Sequence, residues 1–260
     1  MYPYEIAFGM TLYDIFLSVG VVSALLIVRL FADYDKASAK LFNYILLTGA
    51  CAIGLGYFSA VLFQAIYNWL DGQPFEINTS TGATFLGGLI GGVLVFLIGY
   101  FFVGHFVFKD KQNVKYFPRL LDIAAVCITS AHGFGRLGCL MAGCCYGSQT
   151  DAWYGIYHIA LDAKVVPMQL FESIFLFSLS IILAILVYKR IPGAMSIYMF
   201  TYGIWRFVAE YFRDDYRGST FVDFVTPSQL TALIMFVGSG IILVYSLRMS
   251  KLNKVSDERD

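Results

Sequence analysis

Charge is scarce in this chain. Lys, Arg, Asp and Glu make up 14% of its 260 residues, and 18 basic against 18 acidic side chains leave no formal net charge. That balance gives no argument for nucleic acid, and so small a charged fraction lies outside the range of an ordinary soluble domain. Histidine is scarcer still, with three copies, and neither His105 nor His158 has a metal-ligand spacing around it. Five cysteines are too few and too scattered for a disulfide framework. Cys51 and Cys127 read as small apolar packing residues, and only Cys139, Cys144 and Cys145 form a group.

What the chain has instead is apolar length. Hydrophobic residues reach 58% of the sequence, and runs of about 20 residues, enough to cross a bilayer, stand near 11–32, 41–69, 84–108, 120–142, 168–188, 194–212 and 227–247. The expected fold is an all-α integral membrane protein of about seven transmembrane helices, with the fourth run the weakest. One alternating set of connections holds Arg29, Lys36, Lys40, Lys109, Lys111, Lys115, Arg119, Lys189, Arg190, Arg248, Lys251, Lys254 and Arg259; the other holds Lys164, Arg213 and Arg217. By the positive-inside rule the N-terminus is expected outside and the C-terminus in the cytoplasm. The first run lacks a basic leader and a small-residue cleavage site, so it is expected to stay as a helix. Residues 1–260 read as one membrane-embedded domain with short outward-facing arms near 143–167 and 213–226.

Two arginines, Arg136 and Arg206, fall inside apolar runs. Such a residue costs roughly 2.5 to 3.5 kcal/mol near a helix centre, so it marks a functional site with an anionic partner. Arg136 lies about 17 residues, and Arg206 about 12, beyond the inner ends of their spans, which places both in the outer half at ~1.5 Å per residue. Glu210 follows Arg206 at i+4 on one helix face, Gln169 and Glu172 open the fifth span, and Tyr13 and Asp14 open the first. Arg206 and Glu210 alone would suit a simple neutralising pair. Two arginines together suit bidentate binding of a phosphate or carboxylate, and lipid headgroups supply one. Asp122, near Arg119, reads as a helix cap or surface pair. Gly87, Gly88, Gly91 and Gly92 read as a helix-packing stripe.

His132, Cys139, Cys144 and Cys145 invite a metal or thiol-redox reading, yet their spacing matches no structural zinc pattern, so neither metal nor cofactor is expected. A thiol beside Arg136 is expected to have a lowered pKa, and the remaining cysteines to pack against glycine.

Three elements stand in order along the chain: Gly135-Arg136-Leu137-Gly138 with Gly143 and Gly147, Pro167-Met168-Gln169-Leu170-Phe171-Glu172, and Tyr202-Gly203-Ile204-Trp205-Arg206-Phe207-Val208-Ala209-Glu210 through to Arg213. Together they resemble the bacterial prolipoprotein diacylglyceryl transferases. Tyr13 aligns with an early tyrosine of the family's first span and Phe85 to Gly91 with its H-G-G-L-I-G element, while Ser228-Gln229 matches only loosely. The chain departs from the family pattern at Leu86, where a histidine is usual, and at Cys139 and Cys144, where the pattern reads R-I-G-N and then G-E.

The resemblance implies transfer of diacylglyceryl from phosphatidylglycerol to the lipobox cysteine thiol of a prolipoprotein, with release of glycerol phosphate, in a bacterial plasma (inner) membrane. It implies Arg136, Arg206, Glu210 and Tyr13 as catalytic residues. Gly138, Cys139, Cys144, Gly147, Gln169, Glu172 and His132 would bind the lipid headgroup or the signal-peptide region. The other readings are transfer to a different acceptor, with Cys139 or Cys144 carrying an intermediate, and a non-catalytic protein that binds anionic lipid.

Overall fold

A computed structural model of the chain describes residues 4–7, 9–78, 80–212 and 226–257, and of Phe85, Pro227 and 253–257 only the backbone. Arg213, Arg217, Arg259 and almost all of the expected arm at 213–226 lie outside the described residues. A small hairpin, β1 (Glu5–Ala7) with β2 (Met10–Thr11), leads into α1 (Leu12–Tyr34). Then come α2 (Ala39–Leu70), α3 (Phe85–Leu97), a π-helical turn (Ile98–Val103), α4 (Gly104–Val107) and α5 (Gln112–Ala142). The hairpin β3 (Ile156–His158) with β4 (Ala163–Val165) separates α5 from α6 (Met168–Tyr188), and α7 (Ala194–Ala209) and α8 (Pro227–Asp257) complete the chain.

Six helices among the described residues are long and apolar enough to span a membrane: α1, α2, the run Leu86–Val107, α5, α6 and α8. The seventh expected span is α7, which has 16 α-helical residues followed by a 3₁₀ turn, Glu210–Phe212. At ~1.5 Å per residue α7 is about 24 Å long, shorter than the hydrocarbon core, and it ends where Arg206 and Glu210 bring charge into the helix. The fourth run, the weakest in sequence, is a continuous 31-residue helix with Pro118 inside its second turn. The chain is thus an all-α integral membrane protein, multi-pass, with about seven helices.

The described residues form two compact units, one of Ala32–Phe117 and one of Met1–Phe31 with Pro118–Asp260. In the first, the glycine stripe does what its spacing predicts. A Cβ at Gly91 would come within 2.3 Å of Ser59 Cβ, and one at Gly87 within 2.6 Å of Phe63 Cβ, so α3 lies directly on α2. Ser59 Oγ donates to Gly87 O at 2.9 Å across that seam.

In the second unit α7 runs along α8: Ser196 Oγ donates to Ser239 O at 2.6 Å, and Gly203 is held against Ala232 O. Asp122 is buried and caps α7 from α5, accepting the amide N–H of Gly193 at 3.2 Å and of Met195 at 3.2 Å. Arg119, one turn earlier, donates to Val187 O at the C-terminal end of α6 at 2.7 Å. The sequence expectation of a cap is met, although the capped helix belongs to a later part of the chain. Asp122→Ala is expected to lower stability by about 2 kcal/mol, because it removes an N-terminal cap and strands buried donors. Thermal unfolding in detergent measures this, with specific activity of the folded fraction unchanged.

Candidate functional site

All eleven candidate site residues fall in the second unit, where α5, α6 and α7 place one carboxylate among three partners. Glu172, in the second turn of α6, has a side chain 2% exposed. Its Oε2 lies 3.0 Å from Arg136 Nε, its Oε1 accepts the hydroxyl of Tyr202 at 2.7 Å, and His132 Nε2 stands 3.8 Å from the same oxygen. The Arg136 approach is off the hydrogen-bond angle and is an ion pair rather than a directed bond. His132 and Arg136 share a face of α5 at i, i+4, and the His132 ring meets Tyr202 edge-on at 5.2 Å. Glu172 thus holds Arg136 in place, a role in which a buried carboxylate is compensated by a cation and a hydroxyl.

Arg206, one turn beyond Tyr202 on α7, is anchored differently. Its Nη2 donates to Ser228 Oγ, at the start of α8, at 2.7 Å, while Glu210 Oε2 is 4.0 Å away, the outer limit of an ion pair. Its Nη1 is buried with no hydrogen-bond partner among the described residues, as are Glu210 Oε2 and the indole N–H of Trp205. Tyr202 bonds the Glu172 that pairs with Arg136 and stands one turn before Arg206 on α7, so the two guanidinium groups border one polar region.

The segment leaving α5 closes the other side. Gly143 takes a left-handed conformation (φ 73°), Gly143 N–H donates to Leu140 O, and Cys144 N–H donates to Cys139 O at 3.2 Å. This pair of bonds is a Schellman motif, which ends the helix. Gln169 donates its side-chain amide to Cys144 O and is itself fully buried, and Ser173 Oγ donates to Gly133 O at 3.0 Å. Gly138 lies against Tyr13, where a Cβ would come within 3.1 Å of the ring, so its lack of a side chain lets α1 and Tyr13 reach this level. Asp14 is turned away to Thr11, accepting its N–H and hydroxyl.

Gly147 has a packing role: its N–H donates to Val166 O at 2.8 Å, and a Cβ there would strike Phe212 O at 2.7 Å. His158 bonds Gly143 O at 2.8 Å and edges onto Tyr146, bracing the same loop. A lowered pKa is expected for a thiol beside Arg136; the Cys144 thiol, in the same group, is pushed up, by hydrogen bonding with Cys139 and Cys145 and then by burial.

Two residues of this arrangement, Tyr202 and Ser228, stand in the family-like elements but receive no role in the site from sequence alone. Tyr202 precedes Arg206 by four residues on one helix face, a signal present in the pattern. Ser228 carries only the loose family match at the start of the last span, and its bond to Arg206 depends on α7 and α8 lying side by side.

The family model described as prolipoprotein diacylglyceryl transferase matches residues 3–245. A Clostridium perfringens protein named phosphatidylglycerol–prolipoprotein diacylglyceryl transferase 2 is 31% identical, over 97% of this chain and 97% of its own. Proteins named phosphatidylglycerol–prolipoprotein diacylglyceryl transferase from Clostridium tetani and Campylobacter curvus are 27% and 29% identical, over 88% and 93% of this chain and 91% of each relative. With a likeness that runs almost from end to end and a polar cluster built from the very segments that carry the sequence motifs, the chain belongs to the prolipoprotein diacylglyceryl transferase family and is a transferase.

Proposed function

We propose that this protein transfers the diacylglyceryl group of phosphatidylglycerol to the lipobox cysteine thiol of a prolipoprotein, releasing glycerol phosphate, in a bacterial plasma membrane with its N-terminus outside. The observation that carries this reading is the buried Nη1 of Arg206, which has no hydrogen-bond partner among the described residues and lies in the polar region that Arg136 also borders. A buried guanidinium N–H left unmet costs free energy until an acceptor arrives, and a phosphodiester oxygen is the acceptor a membrane supplies. The names of the relatives support the same donor and acceptor.

In the reaction the sulfur forms a bond to the glycerol carbon, the carbon–oxygen bond to phosphate breaks, and the bonding electrons leave with the phosphate oxygen. Arg136 and Arg206 stabilise the charge that gathers there, as preorganised donors do. Glu172 and Tyr202 position Arg136, while Ser228 and Glu210 position Arg206. Tyr13, seated on Gly138, borders the site from α1, and Gln169 fixes the Cys144 loop that faces the incoming peptide. Cys139 contributes through that same loop, and His132 borders the headgroup region beside Glu172.

The test is mass spectrometry of a lipobox peptide incubated with purified protein and phosphatidylglycerol. A gain of one diacylglyceryl group, lost with phosphatidylethanolamine as the lipid, is expected. Folded protein that binds phosphatidylglycerol without modifying the peptide would overturn the reading and favour a different acceptor or a lipid-binding role.

A further inference from the structure

The sulfur atoms of Cys139, Cys144 and Cys145 all lie within 4.8 Å of one another. The backbone brings them together. A Schellman motif sets the residue three from the helix end against the second residue beyond it, usually as an apolar contact, and here those two positions are Cys139 and Cys144. Cys145 follows in a left-handed conformation (φ 65°), and its thiol lies with the other two. None of the three is in a disulfide, and all retain some exposure.

This is not the closed four-ligand knuckle that the sequence spacing argues against. Catalytic zinc uses three protein ligands and leaves a fourth position for water or substrate. Tetrahedral zinc with Zn–S bonds of about 2.3 Å needs sulfurs roughly 3.8 Å apart, so the trio has to close by about 1 Å at most. Donors that are all thiolate select zinc or monovalent copper over calcium, magnesium or manganese. The cluster also has a place in the site, because Cys139 lies one turn beyond Arg136 on α5 and follows Gly138, which is seated against Tyr13.

We propose that Cys139, Cys144 and Cys145 form an open three-thiolate zinc site whose fourth position takes the thiol of the incoming acceptor cysteine. The inference rests on the transferase reading above and names how the acceptor is recognised and activated. The step requires a thiolate, and Glu172, the buried carboxylate at the centre of the site, is already engaged by Tyr202 and Arg136. Zinc removes the need for a base, since a thiol that coordinates it loses its proton outright. That proton passes to water, the zinc-bound sulfur attacks the glycerol carbon, and the phosphate monoester departs with the carbon–oxygen electron pair. The thioether product is a poor zinc ligand and leaves the fourth position free. Gln169, which holds Cys144 through its carbonyl, is the positioning residue of the cluster.

The experiment loads the full chain in detergent with Co²⁺, which takes zinc sites and reports them by colour. About one ion per chain with sulfur-to-cobalt charge-transfer absorption is expected, and Cys144→Ser is expected to lose most of that absorption while keeping its thermal unfolding temperature. Addition of a lipobox peptide is expected to strengthen the tetrahedral cobalt bands, and the same peptide with serine in place of cysteine is expected to leave them unchanged. Because the peptide comparison uses the wild-type chain, it stands even where a cysteine variant fails to fold.

No sulfur-to-cobalt band, an unaltered band in Cys144→Ser, or an identical response to both peptides would overturn the site. So would ready closure of a Cys139–Cys144 disulfide in protein that binds no metal. A strong zinc chelator separates this inference from the function it rests on. Full diacylglyceryl transfer in its presence would remove the zinc site and leave the transferase reading standing, whereas no transfer with or without zinc would remove the transferase reading.

Discussion

Arg136→Ala is expected to lower the rate of diacylglyceryl transfer by about 10²–10³-fold, the usual effect of removing one preorganised donor from developing negative charge. The same change strands Glu172, whose side chain is 2% exposed, with Tyr202 as its remaining close hydrogen-bond donor. Breaking a buried ion pair on one side costs about 3–5 kcal/mol, so lost activity alone would not separate chemistry from folding. Adding Glu172→Gln removes the stranded charge. The double variant is expected to regain much of the lost thermal stability and to stay inactive. Unfolding temperatures and initial rates measured on the single and double variants check this, and recovered transfer in the double variant would rule out an electrostatic role for Arg136.

Glu172→Ala is expected to be the most destabilising single change in the site. It removes the acceptor of the Tyr202 hydroxyl and the counter-ion of Arg136 together, leaving two buried polar groups unmet at about 3–5 kcal/mol. Glu172→Gln keeps an acceptor for Tyr202 and nearly the same volume, so it is expected to cost less, while transfer falls in both because Arg136 loses its anchor. The order of unfolding temperatures, wild type above Gln above Ala, is the measurement. An Ala variant as stable as wild type would show that the three helices do not depend on this carboxylate.

The site was partly legible in the sequence, for reasons that differ from residue to residue. Arg136 and Arg206 stood out because charge in a long apolar run has few explanations. Glu210 was visible through helix periodicity, four residues after Arg206, whereas His132 was singled out only alongside the nearby cysteines. The role of Glu172 was less visible. Its position near the start of a span was clear, yet the choice between binding a substrate and holding Arg136 depends on how α5, α6 and α7 meet. Ser228 and Asp122 show the same limit, since each serves a partner whose sequence distance carries no information: 22 residues to Arg206 and 71 to Gly193. The cysteines show it most plainly. Their spacing excludes one class of site, while the helix ending at Gly143 creates another.

By itself the sequence determined that this protein lives in a bilayer, roughly how many times its chain crosses it, that two arginines sit within those crossings, and to which family it belongs. Apolar run length and buried charge are local quantities, and a chain states them without being folded. The tertiary structure alone decided that Glu172 joins three helices through Arg136, Tyr202 and His132, that Arg206 keeps one donor open, and that three thiols share one corner. Each is a distance between groups remote in the chain or turned toward each other by a helix end, and such distances exist only once backbone geometry and packing have set them.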